Sequence, residues 1–80
     1  MSHLVYILYS SSISQYYCGE TSNIEDRLLR HNGGRSKSTK RGIPWVLIRT
    51  IDCIDRSDAR ILESRIKKRG ISRWLEANPE

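Results

Sequence analysis

Eighty residues with 38% apolar content make one domain at most, since ordinary domains run to ~100–150 residues and short chains bury little surface. No apolar run approaches the ~18 residues of a membrane span and no signal-peptide pattern opens the chain, which excludes an integral membrane protein and gives no sign of secretion. Fourteen Lys and Arg against nine Asp and Glu leave a net charge of +5, which points to a polyanion partner, nucleic acid before an anionic membrane surface.

Leu4-Val5-Tyr6-Ile7-Leu8-Tyr9 is β-branched and aromatic and predicts a strand. Ser10-Ser11-Ser12 is a turn cluster, and Gln15-Tyr16-Tyr17-Cys18-Gly19 reads as the returning strand of a hairpin. Thr21-Ser22-Asn23 supplies N-cap candidates, with Ser22 and Glu25 spaced as a capping box. A helix from Ile24 to His31 follows, stopped at Asn32-Gly33-Gly34. Residues 33–43 form a Gly, Ser, Lys and Arg loop. Pro44 opens a third strand, Trp45 to Ile51, whose near-continuous apolar run predicts a central place in the sheet. Asp55 or Ser57 caps a second helix from Asp58 to Lys68, Gly70 breaks it, and Ile71 to Ala77 forms a short last helix. The order β-β-α-β-α-α, with no repeat or linker, predicts one small α+β domain over residues 1–80.

The charge is unevenly spread. All fourteen basic residues follow Asp26, and Arg27 to Gly42 holds six of them with no acidic residue. That stretch has the footprint of an element that tracks a nucleic-acid backbone. Cys18 and Cys53 are too few for a disulfide scaffold, and with His3 and His31 they show no zinc-ligand spacing. They read as two thiols of a reducing cytoplasm.

Several polar residues stand where the pattern expects apolar ones. With Ile24 placed at 0° and about 100° per residue, Leu28 falls at about 40°, His31 at about 340° and Arg27 at about 300°. Arg27 and His31 thus flank the apolar stripe, whereas Asp26 and Arg30 turn to solvent. On the second helix Glu63 is likewise flanked by the core positions Ala59, Leu62 and Ile66. A charge at the rim of a buried face needs a partner. Two readings fit: an Arg27–Glu63 salt bridge between packed helices, or a cleft where cation, carboxylate, histidine and tyrosines converge. Four tyrosines, Tyr6, Tyr9, Tyr16 and Tyr17, sit on the hairpin, and alternation sends Tyr16 and Tyr17 to opposite faces.

Leu4-Val5-Tyr6, then ten residues, then Tyr17-Cys18-Gly19, resembles the two-part signature of the GIY-YIG nuclease superfamily. Glu20 to Leu28 is similar to the segment leading to that family's helix arginine. His31-Asn32-Gly33-Gly34, Ser38-Thr39-Lys40 before Pro44-Trp45, and Ala59 to Lys67 resemble its small stand-alone members, relatives of the nuclease domain of the excision-repair endonuclease. The likeness runs from Leu4 to Glu76. It implies an α/β/α sandwich around a three-stranded sheet, and hydrolysis of DNA phosphodiesters with Mg²⁺ or Mn²⁺. Carried over, Tyr6 and Tyr17 are the motif tyrosines, Gly19 the motif glycine, Arg27 the helix arginine, His31 a residue near the reaction centre and Glu63 the metal ligand. Leu4 departs from the first motif's glycine and Cys18 from the second's aliphatic residue. Glu20 stands where repair nucleases of the family often carry a lysine.

Chemistry agrees with those roles. One carboxylate suffices for a hard cation that keeps most of its waters, and Arg27 offers a fork of donors matched to phosphate. The resemblance favours Tyr6 as general base, assisted by Tyr17 and His31, provided a cation depresses the phenol's pKa; unaided chemistry favours His31. Arg35, Lys37, Thr39, Lys40 and Arg41 form the expected backbone-tracking loop, with Arg65, Lys67 and Lys68 as a further contact. Trp45 and Trp74 stack on bases or pack the core. The leading reading is therefore a monomeric, cytoplasmic, metal-dependent endonuclease acting on DNA in repair or recombination. The runner-up is a nucleic-acid-binding module on the same scaffold; a third is a small RNA-associated protein, since charge does not distinguish RNA from DNA.

Overall fold

A computed structural model describes residues 3–80 and follows the expected order of elements. Strand β1 (His3–Ser10) and strand β2 (Gln15–Thr21) form the hairpin, and helix α1 (Ile24–Asn32) follows. After a single 3-10 turn at Lys40–Gly42 come strand β3 (Val46–Cys53), helix α2 (Arg56–Arg69) and helix α3 (Ile71–Ala77). The sheet is antiparallel in the order β2-β1-β3.

Strand alternation divides the side chains of β1 between two layers. Val5 and Ile7, with Cys18 and Cys53 from the flanking strands, pack on Ala59 and Ile66 of α2, closed over by Leu62, Ile71, Trp74 and Leu75. Tyr6 and Leu8 face the other way, onto Trp45, Ile24, Leu28 and Ile43. The result is the α/β/α sandwich. Val5, Ile7, Leu8 and Ile66 are fully buried, each contributing about 1.5–3 kcal/mol relative to exposure.

The third strand does not take the central place its apolar run predicts. β1 is central and β3 is an edge, with Val46, Leu47 and Ile48 all exposed. A strand is covered on both faces only where the helices lie. These cover β1, while residues 46–48 run past them beside Leu8 and Tyr9, just after the register shift at Ile7/Leu8.

Local signals differ in detail. Asn23 caps α1, its side chain accepting from the Asp26 amide, in place of the expected Ser22–Glu25 box. Asp55 rather than Ser57 caps α2 through the Asp58 amide. Gly34, with φ of +74°, takes the left-handed conformation after α1, while Gly33 stays right-handed. Tyr9 and Tyr16 pair across the hairpin, with ring centroids 4.8 Å apart.

Candidate active site

Hairpin register assembles the first half of the site. Tyr6 lies opposite Gly19 and Leu8 opposite Tyr17, which puts both motif tyrosines on the α1 side of the sheet. Their ring centroids are 6.2 Å apart. A Cβ on Gly19 would stand 2.5 Å from Tyr6 Oη, so the glycine provides the space that the ring occupies.

Helix α1 brings the second half. Its inner flank carries Arg27 and, one turn on, His31, which is only 2% exposed. Tyr6 Oη and His31 Nε2 are 2.9 Å apart, and the imidazole lies 4.9 Å, centroid to centroid, from the Tyr17 ring at a steep angle. On the far side of the imidazole, Nδ1 is 2.8 Å from Thr39 Oγ1. Asn32 clamps the start of β3, accepting from the Trp45 amide at 2.6 Å and donating to its carbonyl at 3.0 Å. Trp45 Nε1 donates to the Thr39 carbonyl at 2.6 Å. The "HN" pair thus joins helix, loop and strand.

Two cavities open on either side of Tyr17 and Arg27, which line both. One, of about 410 Å³, is completed by Arg30, His31, Arg35 and Ser36. The other, of about 380 Å³, wraps the free edge of β2 and brings in Glu20, Arg56 and, from α2 on the far face, Glu63. Tyr17, Arg27 and Glu63 thus converge on one space from three elements. The Arg27–Glu63 salt bridge weighed from the sequence does not form among the described residues; Glu63 instead accepts from Lys67 Nζ at 2.6 Å.

Burial sets the protonation states. Desolvation raises the Tyr6 pKa strongly, the Tyr17 hydroxyl adds to it, and Arg27 only partly offsets the effect. Arg27 alone therefore does not bring the phenol below its ordinary value. Burial, and then Arg27, lowers the His31 pKa, so the imidazole is neutral at pH 7. The bond to Glu63 raises the Lys67 pKa and keeps that ammonium charged. Burial works to raise the Glu20 pKa, but the bond from His3 at 2.5 Å, with Arg56 and Arg60 beyond it, brings it below the usual carboxylate range.

Two of the residues expected to contact nucleic acid have partners inside the site. Thr39, read as part of the backbone-tracking loop, is buried with its hydroxyl on His31, because the Trp45 indole and the 3-10 turn draw that residue inward. Lys67, read as a nucleic-acid contact, holds Glu63 and lies 5.9 Å from the centroid of the Tyr17 ring. Arg35, Lys37, Lys40 and Arg41 are exposed. Arg30, placed toward solvent, pairs with Asp26 at 3.1 Å and still lines the first cavity. Trp45 is a core residue, 5% exposed, and Trp74 is half-buried beneath the Arg49 guanidinium. Sequence reasoning missed Asn32, Ser36 and Arg56 as parts of the site. Only Asn32 carried a signal, in the "HN" pair.

Among the described residues no cluster of three or more His, Cys, Asp and Glu side chains is placed to hold a metal. The donor set is one carboxylate in a polar cavity, which suits a hard cation that retains its waters and not a thiolate- or imidazole-seeking one. Such a cation would take the place Lys67 Nζ now holds on Glu63.

The GIY-YIG catalytic domain model matches residues 2–74. A UPF0213 protein of Nitratidesulfovibrio vulgaris is 42% identical over 53 residues, covering 65% of this chain and 48% of its own. UPF0213 protein YsiG of Lactococcus lactis subsp. lactis is 37% identical over 62 residues, covering 76% and 59% respectively. A UPF0213 protein of Lactococcus lactis subsp. cremoris is 33% identical over 63 residues, covering 78% and 63%. The chain thus spans about half to three-fifths of these curated relatives, whose names state no activity. No solved structure matches it.

Proposed function

The chain belongs to the GIY-YIG catalytic domain family, and from that premise we propose that it is a divalent-metal-dependent endonuclease hydrolysing phosphodiester bonds in DNA, with repair or recombination as its setting. The observation that carries this reading is the single cavity lined by Tyr17, Arg27 and Glu63. A guanidinium able to bind a phosphate, a carboxylate able to hold a metal and a phenol line one space there, although Glu63 and Arg27 come from opposite faces of the sheet.

Glu63 holds the metal, Mg²⁺ or Mn²⁺, which when bound supplies positive charge against the phosphoryl oxygens and a more acidic water. Arg27 binds the scissile phosphate through its fork of donors and stabilises the charge that grows on it. Tyr6, Tyr17 and His31 carry the proton away from the attacking water; with the Tyr6 phenol raised and the imidazole neutral, His31 is the final acceptor. Gly19 keeps the Tyr6 ring seated. Arg35, Lys37, Lys40 and Arg41 follow the backbone of the substrate.

One observation favours the binding-module alternative. The Lys67 ammonium already neutralises Glu63, so the carboxylate is satisfied without a metal. The two readings separate on branched, single-stranded and duplex DNA offered with Mg²⁺ or Mn²⁺ and with EDTA. The nuclease reading expects EDTA-sensitive cleavage that Glu63→Gln abolishes while DNA binding persists. Binding without cleavage under every condition would leave the module reading, and full cleavage by a folded Glu63→Gln protein would remove Glu63 from the site.

A further inference from the structure

We infer that Thr39 is a positioning residue of this site: its hydroxyl fixes the His31 tautomer that leaves Nε2 bare to accept the Tyr6 proton. The inference deepens the endonuclease reading and rests on it for its consequence in catalysis, though not for the tautomer itself.

The direction of the hydrogen bonds follows from counting protons. Tyr6 is fully buried, and the only side-chain acceptor its hydroxyl meets among the described residues is His31 Nε2, at 2.9 Å. Arg27, the nearby charged group on α1, carries only donors and offers the phenol no acceptor. The Tyr6 hydrogen therefore points at Nε2, which must be bare. A neutral imidazole has one N–H, so it sits on Nδ1 and is donated to Thr39 Oγ1 at 2.8 Å. Thr39 in turn directs its own hydrogen at the Ser36 carbonyl, 3.4 Å away, and presents lone pairs to the ring. The chain runs one way, from Tyr6 to His31 to Thr39 to Ser36.

Thr39 is held from its backbone as well. Its carbonyl accepts from Trp45 Nε1 at 2.6 Å and from the Gly42 amide at 3.1 Å, while its amide donates to Ser36 at 3.2 Å. A Cβ on Gly42 would collide with the Trp45 ring, so the turn seats closely against the indole. The hydroxyl is thus a fixed acceptor, and it explains why a threonine in a basic, exposed loop is only 1% exposed.

The consequence for the reaction is a relay. Once substrate binding lets the attacking water reach Tyr6 Oη, which is buried in the free protein, the water gives it a proton, Tyr6 passes its own to His31 Nε2, and the phenol is never left as a phenolate. The hydroxide forms the new P–O bond, and the bond to the leaving oxygen breaks with its electron pair, which takes a proton from solvent. His31 ends as an imidazolium, its Nδ1–H still held by Thr39, and returns its proton to solvent. This lets a phenol with a raised pKa take part in base catalysis.

The tautomer is read by long-range ¹H–¹⁵N correlation on the ¹⁵N-labelled full chain, free of DNA and metal. We expect the Nδ1–H form in the wild type and in Thr39→Ser. In Thr39→Val, which keeps the shape and loses the hydroxyl, we expect a mixture or the Nε2–H form. Single-turnover cleavage should fall about 100-fold or more in Thr39→Val, the lower range for positioned acid–base catalysis, and recover in Thr39→Ser. An Nε2–H wild type overturns the inference, as does a Thr39→Val protein with an unchanged tautomer. If Thr39→Val does not fold, the wild-type and Thr39→Ser spectra decide alone. Absence of cleavage from every variant removes the nuclease reading and leaves the tautomer result standing.

Discussion

The two faces of β1 use adjacent residues for opposite purposes. Val5 and Ile7 look onto α2 and α3 across a layer of hydrocarbon and two free thiols, with burial pushing the Cys18 pKa up to about 12. Tyr6, between them in sequence, looks onto a buried polar chain that continues through His31 to Thr39. The first face stabilises the fold by area removed from water and needs no particular orientation. The second offsets the cost of burying three polar side chains by pairing each of them, and so fixes every orientation. On this strand the α2 side is packing alone, while the α1 side joins packing, through Leu8 and Trp45, to the polar chain.

The sharpest way to break that division is to truncate the apolar side. Ile66→Ala should cost about 2–5 kcal/mol in denaturant unfolding, a large part of the ~5–15 kcal/mol that holds a small domain together. The fraction still folded should cleave at an unchanged rate. A loss well below that range would mean that the polar face carries more of the stability than its pairing suggests.

The converse change belongs to the polar side. Arg27→Lys keeps the charge and loses the planar fork, so single-turnover cleavage should fall by ~10²–10³ while DNA affinity and unfolding midpoint hold. Arg30→Lys lines the same cavity and should do far less, because its guanidinium is already committed to Asp26. Equal, small effects at both positions would make Arg27 ordinary basic surface.

The smallest effect is one of pH. The folded-state pKa of His31 lies below the ordinary 6.5, so the unfolded chain takes up that proton first. Its contribution to stability is intact above pH 6.5 and is lost as pH falls from there through the lowered folded value. Thermal unfolding followed from pH 8 to 5 in wild type and His31→Gln isolates the term, since both proteins share His3 and Glu20. A wild-type curve parallel to the mutant's would mean that the buried imidazole accepts protons as readily as a free one.

The order of elements was legible because hairpin, turn and breaker signals are local, and the α/β/α sandwich followed from the family resemblance. Arg27, His31 and Glu63 stood out as polar residues flanking apolar stripes, and Tyr6 and Tyr17 through the likeness of the hairpin to the two-part motif. What stayed hidden depended on neighbours distant in the chain. An apolar run such as Val46 to Ile48 has the same pattern in a central strand and in an edge strand lying beyond its covering helices. Thr39 looked like a surface residue of a basic loop until Trp45 drew the turn inward. Lys67 looked like one more cation of a basic helix, since an i,i+4 partner does not reveal which cavity the pair lines.

The pairing of Tyr6 with Gly19 and of Leu8 with Tyr17 also bears on how the chain tolerates change in length. Ten residues separate the motif tyrosines, yet what the site requires is a cross-strand partnership and not a count. Residues added at the tip, between Ser10 and Gln15, leave every pair of the ladder where it was. One residue added inside either strand, unless it bulges out, turns the following side chains to the opposite face and separates the tyrosines. The tip is therefore the natural place to graft a reporter or an affinity tag, and a spacing variant in a related chain belongs there before anywhere else in the hairpin.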